Sequence, residues 1–161
     1  MTAMKMLIER VTASEDLDAV AELEAASFTN PWTREMLERE LRHSDVTRVH
    51  VLRIPGHRVA AFCASWLVCD ELHINTIAVH PELRRRGLAS VLMRHIFGEA
   101  VQLGADRALL EVRRSNVPAL RLYEALGFRV AGFRPKYYSH PEEDAILLVR
   151  DELAENGGLR S

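Results

Sequence analysis

The chain has 161 residues and a mass of 18.3 kDa, the size of one domain. Its 48% apolar and 27% charged residues give the balance of a folded globular protein and exclude a disordered one. Twenty-one basic against twenty-three acidic residues, a net charge of −2, leave no overall field to draw in nucleic acid or an anionic membrane.

The first residues turn charged at Lys5, too early for a signal peptide. No apolar run approaches the ~20 residues that span a bilayer. Cys63 and Cys69 cannot build a disulfide framework, so both read as buried or half-buried thiols of a reducing compartment, and the expected location is the cytoplasm. Thr12-Ala13-Ser14-Glu15 is a capping-box pattern, followed by Leu17, Val20, Ala21 and Glu24 at helical spacing. Asn30-Pro31-Trp32 breaks the chain, and Thr33 then caps a short helix presenting Met36, Leu37 and Leu41. Residues 47–54 read as a strand closed by Pro55-Gly56. Two longer strands, Arg58–Val68 and Leu72–Val79, are joined by a tight turn at Cys69-Asp70-Glu71.

His80-Pro81 ends that strand, and Arg84-Arg85-Arg86-Gly87 leads into a strong helix. Its expected buried stripe is Leu88, Val91, Leu92, His95, Ile96 and Leu103, with Gly104 suited to the left-handed residue past its end. Ala108–Val112 is a short strand, and Pro118–Leu126 a helix with stripe Ala119, Leu122, Tyr123 and Leu126, leaving through Gly127. Strands Arg129–Arg134 and Asp144–Arg150 flank a loop holding Tyr137 and Tyr138. The domain is expected over residues 1–154, with Glu155–Ser161 a frayed tail. Helices, three strands, helix, strand, helix and two strands make an α/β fold with a mixed sheet, which must contain a parallel βαβ crossover.

Arg84-Arg85-Arg86-Gly87-Leu88-Ala89 stands between strand and helix, where unpaired N–H groups attract anions. It has neither the Lys-Ser/Thr of a triphosphate loop nor a preceding G-x-G-x-x-G. The motif fits a phosphate-bearing ligand and equally a solvated basic turn. Glu111 lies among Leu109, Leu110 and Val112; it either lines a cleft or pairs on the surface with Arg113 or Arg129. Tyr123 on an apolar stripe reads as core, and Asn116 as a helix cap. Seven histidines show no metal-ligand spacing, so no metal is expected, and no nucleophile elbow is present. Any catalysis is therefore acid–base chemistry or positioning.

Taken together, Ile74-Asn75-Thr76-Ile77-Ala78-Val79, His80-Pro81 and Arg84-x-x-Gly87-x-Ala89 resemble the acetyl-CoA motif of the GNAT acetyltransferase superfamily. The likeness covers nearly the whole chain. It narrows through Leu110-Glu111-Val112-Arg113-Arg114-Ser115-Asn116, Leu122-Tyr123-Glu124, Leu126-Gly127-Phe128, Tyr137-Tyr138, Glu143-Asp144-Ala145-Ile146 and Asn30-Pro31-Trp32. These resemble the branch that acetylates the N-terminal alanine of small-subunit ribosomal protein eighteen. The resemblance implies a mostly antiparallel sheet flanked by helices, with a splayed strand pair holding acetyl-CoA as cosubstrate. It implies that Ile77, Ala78 and Val79 hold the pantetheine arm, that Arg84, Arg85, Arg86, Gly87, Leu88, Ala89 and Ser90 hold the pyrophosphate, and that Asn116 contacts the arm. Glu111 is then the base, acting through water, Tyr123 the acid, and Tyr137 and Tyr138 walls of the acceptor channel. The implied partner is a protein N-terminus, with a monomer or weak dimer and no nucleic-acid or membrane partner. The competing expectations are a GNAT acting on a small-molecule amine or a lysine side chain, and a non-catalytic acetyl-CoA-binding module.

Overall fold

A computed structural model describes residues 5–11, 16–28, 31–43 and 45–154. The capping-box residues 12–15, Asn30 and the tail Glu155–Ser161 lie outside the described residues. The elements are β1 (Leu7–Arg10), α1 (Leu17–Ser27), α2 (Arg34–Leu41), β2 (Thr47–Ile54), β3 (His57–Val68), β4 (Glu71–Val79), a 3₁₀ turn (Pro81–Leu83), α3 (Leu88–Gln102), β5 (Arg107–Arg113), α4 (Val117–Ala125), β6 (Arg129–Tyr138) and β7 (Glu143–Arg150). The seven strands form one sheet in the order β1-β2-β3-β4-β5-β7-β6. Every pairing is antiparallel except β4 with β5, which α3 connects as the expected crossover.

Strand alternation sends apolar side chains to both faces of the sheet. On one face Val49, Val51, Phe62 and Ala64 pack against Leu17, Val20 and Leu23 of α1 and Leu37 of α2. On the other, Leu72, Ile74, Ala108 and Leu110 meet Leu88, Leu92, Ile96 and Phe97 of α3 and Tyr123 of α4. Thr33 caps α2 as expected, its hydroxyl accepting the Met36 N–H at 3.2 Å. Gly104 and Gly127 take φ of 101° and 91° at the two helix exits, the left-handed conformation that costs glycine least.

Four readings change. β1 was not expected, because four residues alternating exposed and half-buried carry too short a pattern to read. The stripe of α3 is rotated: Met93, Phe97 and Ala100 are buried with Leu88, Leu92 and Ile96. His95 instead lies outside, 3.5 Å from Glu99, and Leu103 is an exposed cap residue after the helix has ended. The closing hairpin is longer than expected. β6 runs on to Tyr138 across a register shift between Arg134 and Tyr138, anchored where the Lys136 N–H donates to Asp144 Oδ1 at 2.9 Å. Tyr137 and Tyr138 therefore end a strand rather than sit in a loop. Finally, Cys69 is exposed in the turn before β4, while Cys63 is buried.

Candidate active site

The site begins where two parallel strands part. β4 and β5 are in register from Glu71↔Arg107 to Ile74↔Leu110 and share no rung beyond it. A bulge marks the place: Ser65 pairs with Ile74 and Ala64 with Thr76, leaving Asn75 between them without a partner in β3. Past this point β5 pairs only with β7, and a cleft of about 1110 Å³ opens with Asn75–Val79 on one side and Glu111–Arg113 on the other. Ile77, Ala78 and Val79 all line it, so the splayed pair expected from the resemblance is present.

The basic turn closes one end. Arg84, Arg85, Gly87, Leu88, Ala89 and Ser90 line the cleft; Arg86 does not. Arg85 and Gly87 both take left-handed φ, 68° and 78°. A Cβ on Gly87 would meet open space, so glycine serves the backbone conformation there and not the packing. Gly87 is the N-cap of the fifteen-residue α3, whose first amides have no partner within the helix. Arg84 braces the turn: its Nε donates to the Val79 carbonyl at 3.2 Å and its Nη2 to Ser27 Oγ at 3.4 Å.

Glu111 is the first residue of β5 past the last shared rung, and its side chain is only 12% exposed. Neither partner expected on the surface reaches it. Arg129 binds Asp151 at 2.7 Å. The Arg113 guanidinium turns to the β6–β7 connection, donating to the Pro141 carbonyl at 3.0 Å and the Ser139 carbonyl and Glu143 Oε1 at 3.4 Å. Around the Glu111 carboxylate stand His73 Nε2 at 3.8 Å and Arg134 Nη2 at 3.7 Å. A hydrogen bond toward Glu111 raises the Tyr137 hydroxyl above its ordinary pKa.

Tyr123 is 5% exposed and lines the same cleft. Burial, reinforced by Cys63 and Tyr138 nearby, raises its pKa well above the ordinary tyrosine value, so at neutral pH the group is a proton donor. Asn116 caps α4 as read, its Oδ1 accepting the Ala119 N–H at 3.2 Å, and also faces the cleft. Tyr137 and Tyr138 stand edge to face with centroids 5.0 Å apart. The Arg113 guanidinium covers the Tyr138 ring at 4.4 Å, and burial pushes the Tyr138 hydroxyl up to about 12.

The sequence reading missed Glu24. This α1 carboxylate is 2% exposed on the cleft wall, accepting the Thr76 hydroxyl at 2.8 Å and the Trp32 N–H at 3.3 Å. Burial raises its pKa despite those two donors. The signal was present, since Glu24 falls in register with the apolar Leu17 and Val20. Among the described residues, no group of three histidine, cysteine or acidic side chains is placed to hold a metal ion.

Residues 17–128 match the acetyltransferase (GNAT) family. The chain is 35% identical to the [ribosomal protein bS18]-alanine N-acetyltransferase of Salmonella typhimurium, covering 86% of this chain and 93% of that protein. It is 34% identical to the Escherichia coli protein of the same name, over 83% and 90%. The crystal structure of the Escherichia coli ribosomal-protein-S18-alanine N-acetyltransferase superposes with a TM-score of 0.83 at 31% identity, covering 92% of this chain and 94% of that one. Arabidopsis thaliana NAA60, solved in complex with acetyl-CoA, shares the fold at 18% identity with a TM-score of 0.80, over 91% and 98%.

Proposed function

The chain belongs to the GNAT acetyltransferase family, and from that premise we propose that it transfers the acetyl group of acetyl-CoA to a protein N-terminus, the N-terminal alanine of ribosomal protein bS18. The reaction belongs to the cytoplasm, with residues 1–154 as the catalytic domain. The observation that carries this reading is that one cleft joins a basic, glycine-containing helix entry, a largely buried carboxylate and a buried tyrosine hydroxyl.

Acetyl-CoA is the substrate whose pyrophosphate this reading sets on the turn from Arg84 to Ser90, where helix amides and a guanidinium converge. Its arm runs along Ile77–Val79 and past Asn116. An α-amine, with a pKa of about 7.7–8.0 against about 10.4 for lysine, needs little help to lose a proton near neutrality. Glu111 takes that proton through water. The nitrogen lone pair adds to the thioester carbonyl, the N–C bond forms and the C–S bond breaks. Tyr123, kept protonated by burial, gives its proton to the departing thiolate. Holding amine and thioester in register supplies much of the remaining acceleration.

The test offers the protein acetyl-CoA with three acceptors: a bS18 N-terminal peptide, the same peptide blocked at its α-amine but carrying a free lysine, and small primary amines. Mass spectrometry locates the acetyl group. Acetylation at the free α-amine is expected. Transfer to lysine or to small amines alone overturns the reading.

A further inference from the structure

A second hollow, of about 420 Å³, opens beside the cleft, lined by Trp32, Met36, Arg39, Glu40, His43 and Trp66. Trp32 belongs to the walls of both, so the two are neighbours across one side chain. They are also joined along the sheet. Glu111 Oε1 is 3.8 Å from His73 Nε2, and the His73 ring stands edge-on to Trp66 with centroids 5.6 Å apart. Trp66 is in register with His73, and His73 with Leu109, two residues before Glu111. All three side chains therefore leave the same face of the sheet. The route from the Glu111 carboxylate to the Trp66 ring is roughly 10 Å, the reach of about three extended residues.

We propose that this hollow is a subsite for the third residue of the acceptor peptide and takes an aromatic side chain there. The inference rests on the acceptor being a protein N-terminus. Two indole rings and a thioether offer edge and face contacts to a ring, and all three stay partly exposed, Met36 by 39%. The chain does not fill the space itself, so the rings and the thioether stay open to a side chain from outside. The walls are held in place. The Trp32 N–H is bound to Glu24, and Glu40 on the rim accepts the Thr47 hydroxyl at 2.9 Å.

The experiment compares peptides that begin with alanine and differ only at the third position, which is Phe, Ala or Asp. The wild-type protein is expected to favour Phe over Ala roughly tenfold in kcat/KM, mostly through KM. Trp66→Ala is expected to bring that ratio close to one, and Trp66→Phe to keep most of it. Met36→Glu puts a charge into the hollow from an exposed helix position, and is expected to abolish the preference even where Trp66→Ala fails to fold. Equal kcat/KM for Phe and Ala in the wild type, or an unchanged ratio in Trp66→Ala and Met36→Glu, overturns the subsite while leaving N-terminal acetylation intact. Acetylation of lysine with no acetylation of any free N-terminus overturns both.

Discussion

The Thr76 hydroxyl donates to Glu24 Oε1 at 2.8 Å, two residues past the last rung between β4 and β5. With the Trp32 N–H on the other oxygen, one buried carboxylate ties α1, the segment before α2 and the freed half of β4 together. Glu24→Ala removes the acceptor for both donors, and a buried donor left alone costs about 1–3 kcal/mol. The variant is expected to melt earlier and to raise the acceptor KM more than the acetyl-CoA KM. Glu24→Gln keeps the volume and one acceptor oxygen, so its effect is expected to be smaller. Thermal melting with steady-state kinetics in both substrates checks this.

Tyr123→Phe removes only a hydroxyl from a buried ring that also packs edge-on to Phe128, centroids 5.6 Å apart. Its melting temperature is expected to change little while kcat falls by about 10²–10⁴-fold, the range for a positioned proton donor. Because burial raises the Tyr123 pKa, the wild-type kcat is expected to show no alkaline fall from tyrosine ionisation up to about pH 10, the ordinary value. A pH–rate profile of both proteins reads the two effects; normal turnover by the variant removes Tyr123 from the mechanism.

Arg85 and Arg86 are neighbours in sequence, but only Arg85 lines the cleft. Arg85→Ala is expected to weaken acetyl-CoA by about 10- to 100-fold, the scale of a lost charge-assisted contact, and Arg86→Ala by clearly less. Gly87→Ala forces a side chain into φ of 78°, about 1–2 kcal/mol of backbone strain at the start of α3. Calorimetric titration of the three variants separates charge from backbone, and equal losses for the two arginines would contradict the assignment.

His50 is 1% exposed, with Nε2 3.2 Å from Glu99 Oε1; Arg48 also contacts Glu99, and His95 is close by. Burial lowers the His50 pKa, against the raising effect of Glu99. In the unfolded chain the group titrates near about 6.5. Below that pH the unfolded state takes up a proton that the folded state resists, so this part of the stability is present above pH 6.5 and is lost as the pH falls. His50→Asn is expected to flatten the fall in melting temperature between about pH 6.5 and 5. An unchanged slope would assign the acid sensitivity to other groups.

Much of the fold is legible in local pattern. The continuous apolar run of β3, the alternation that opens β4, the Thr33 cap and the glycines at 104 and 127 each obey rules that act within a few residues. The rotated face of α3 was not legible, because Leu88–Gln102 offers apolar residues nearly all round and only the sheet decides which of them it covers. Glu111 was visible as an acid among aliphatics, but its surroundings were not. Tyr137 approaches it past a register shift in β6 between Arg134 and Tyr138, and Arg134 reaches it from β6, across the intervening β7, a matter of strand pairing that no local pattern encodes. The same holds for His73, which comes from the neighbouring strand. Trp66 and Trp32 lie thirty-four positions apart and come to line one hollow only once α2 has settled on the sheet.

β4 and β5 behave as a zipper closed over four teeth and left open for the rest. What the open length offers is main chain, the same N–H and C=O whatever side chain each residue carries. Ile77, Ala78 and Val79 can thus trade one aliphatic group for another of similar bulk and leave unchanged those main-chain groups that are not already bound to β3 or, at the Val79 carbonyl, to Arg84. The depth of the opening is fixed elsewhere, by Leu72, Ile74, Ala108 and Leu110 buried under α3 at the closed end. An edge written in backbone and held open by a distant core is therefore one that substitutions along it can barely tune, and substitutions in the core can.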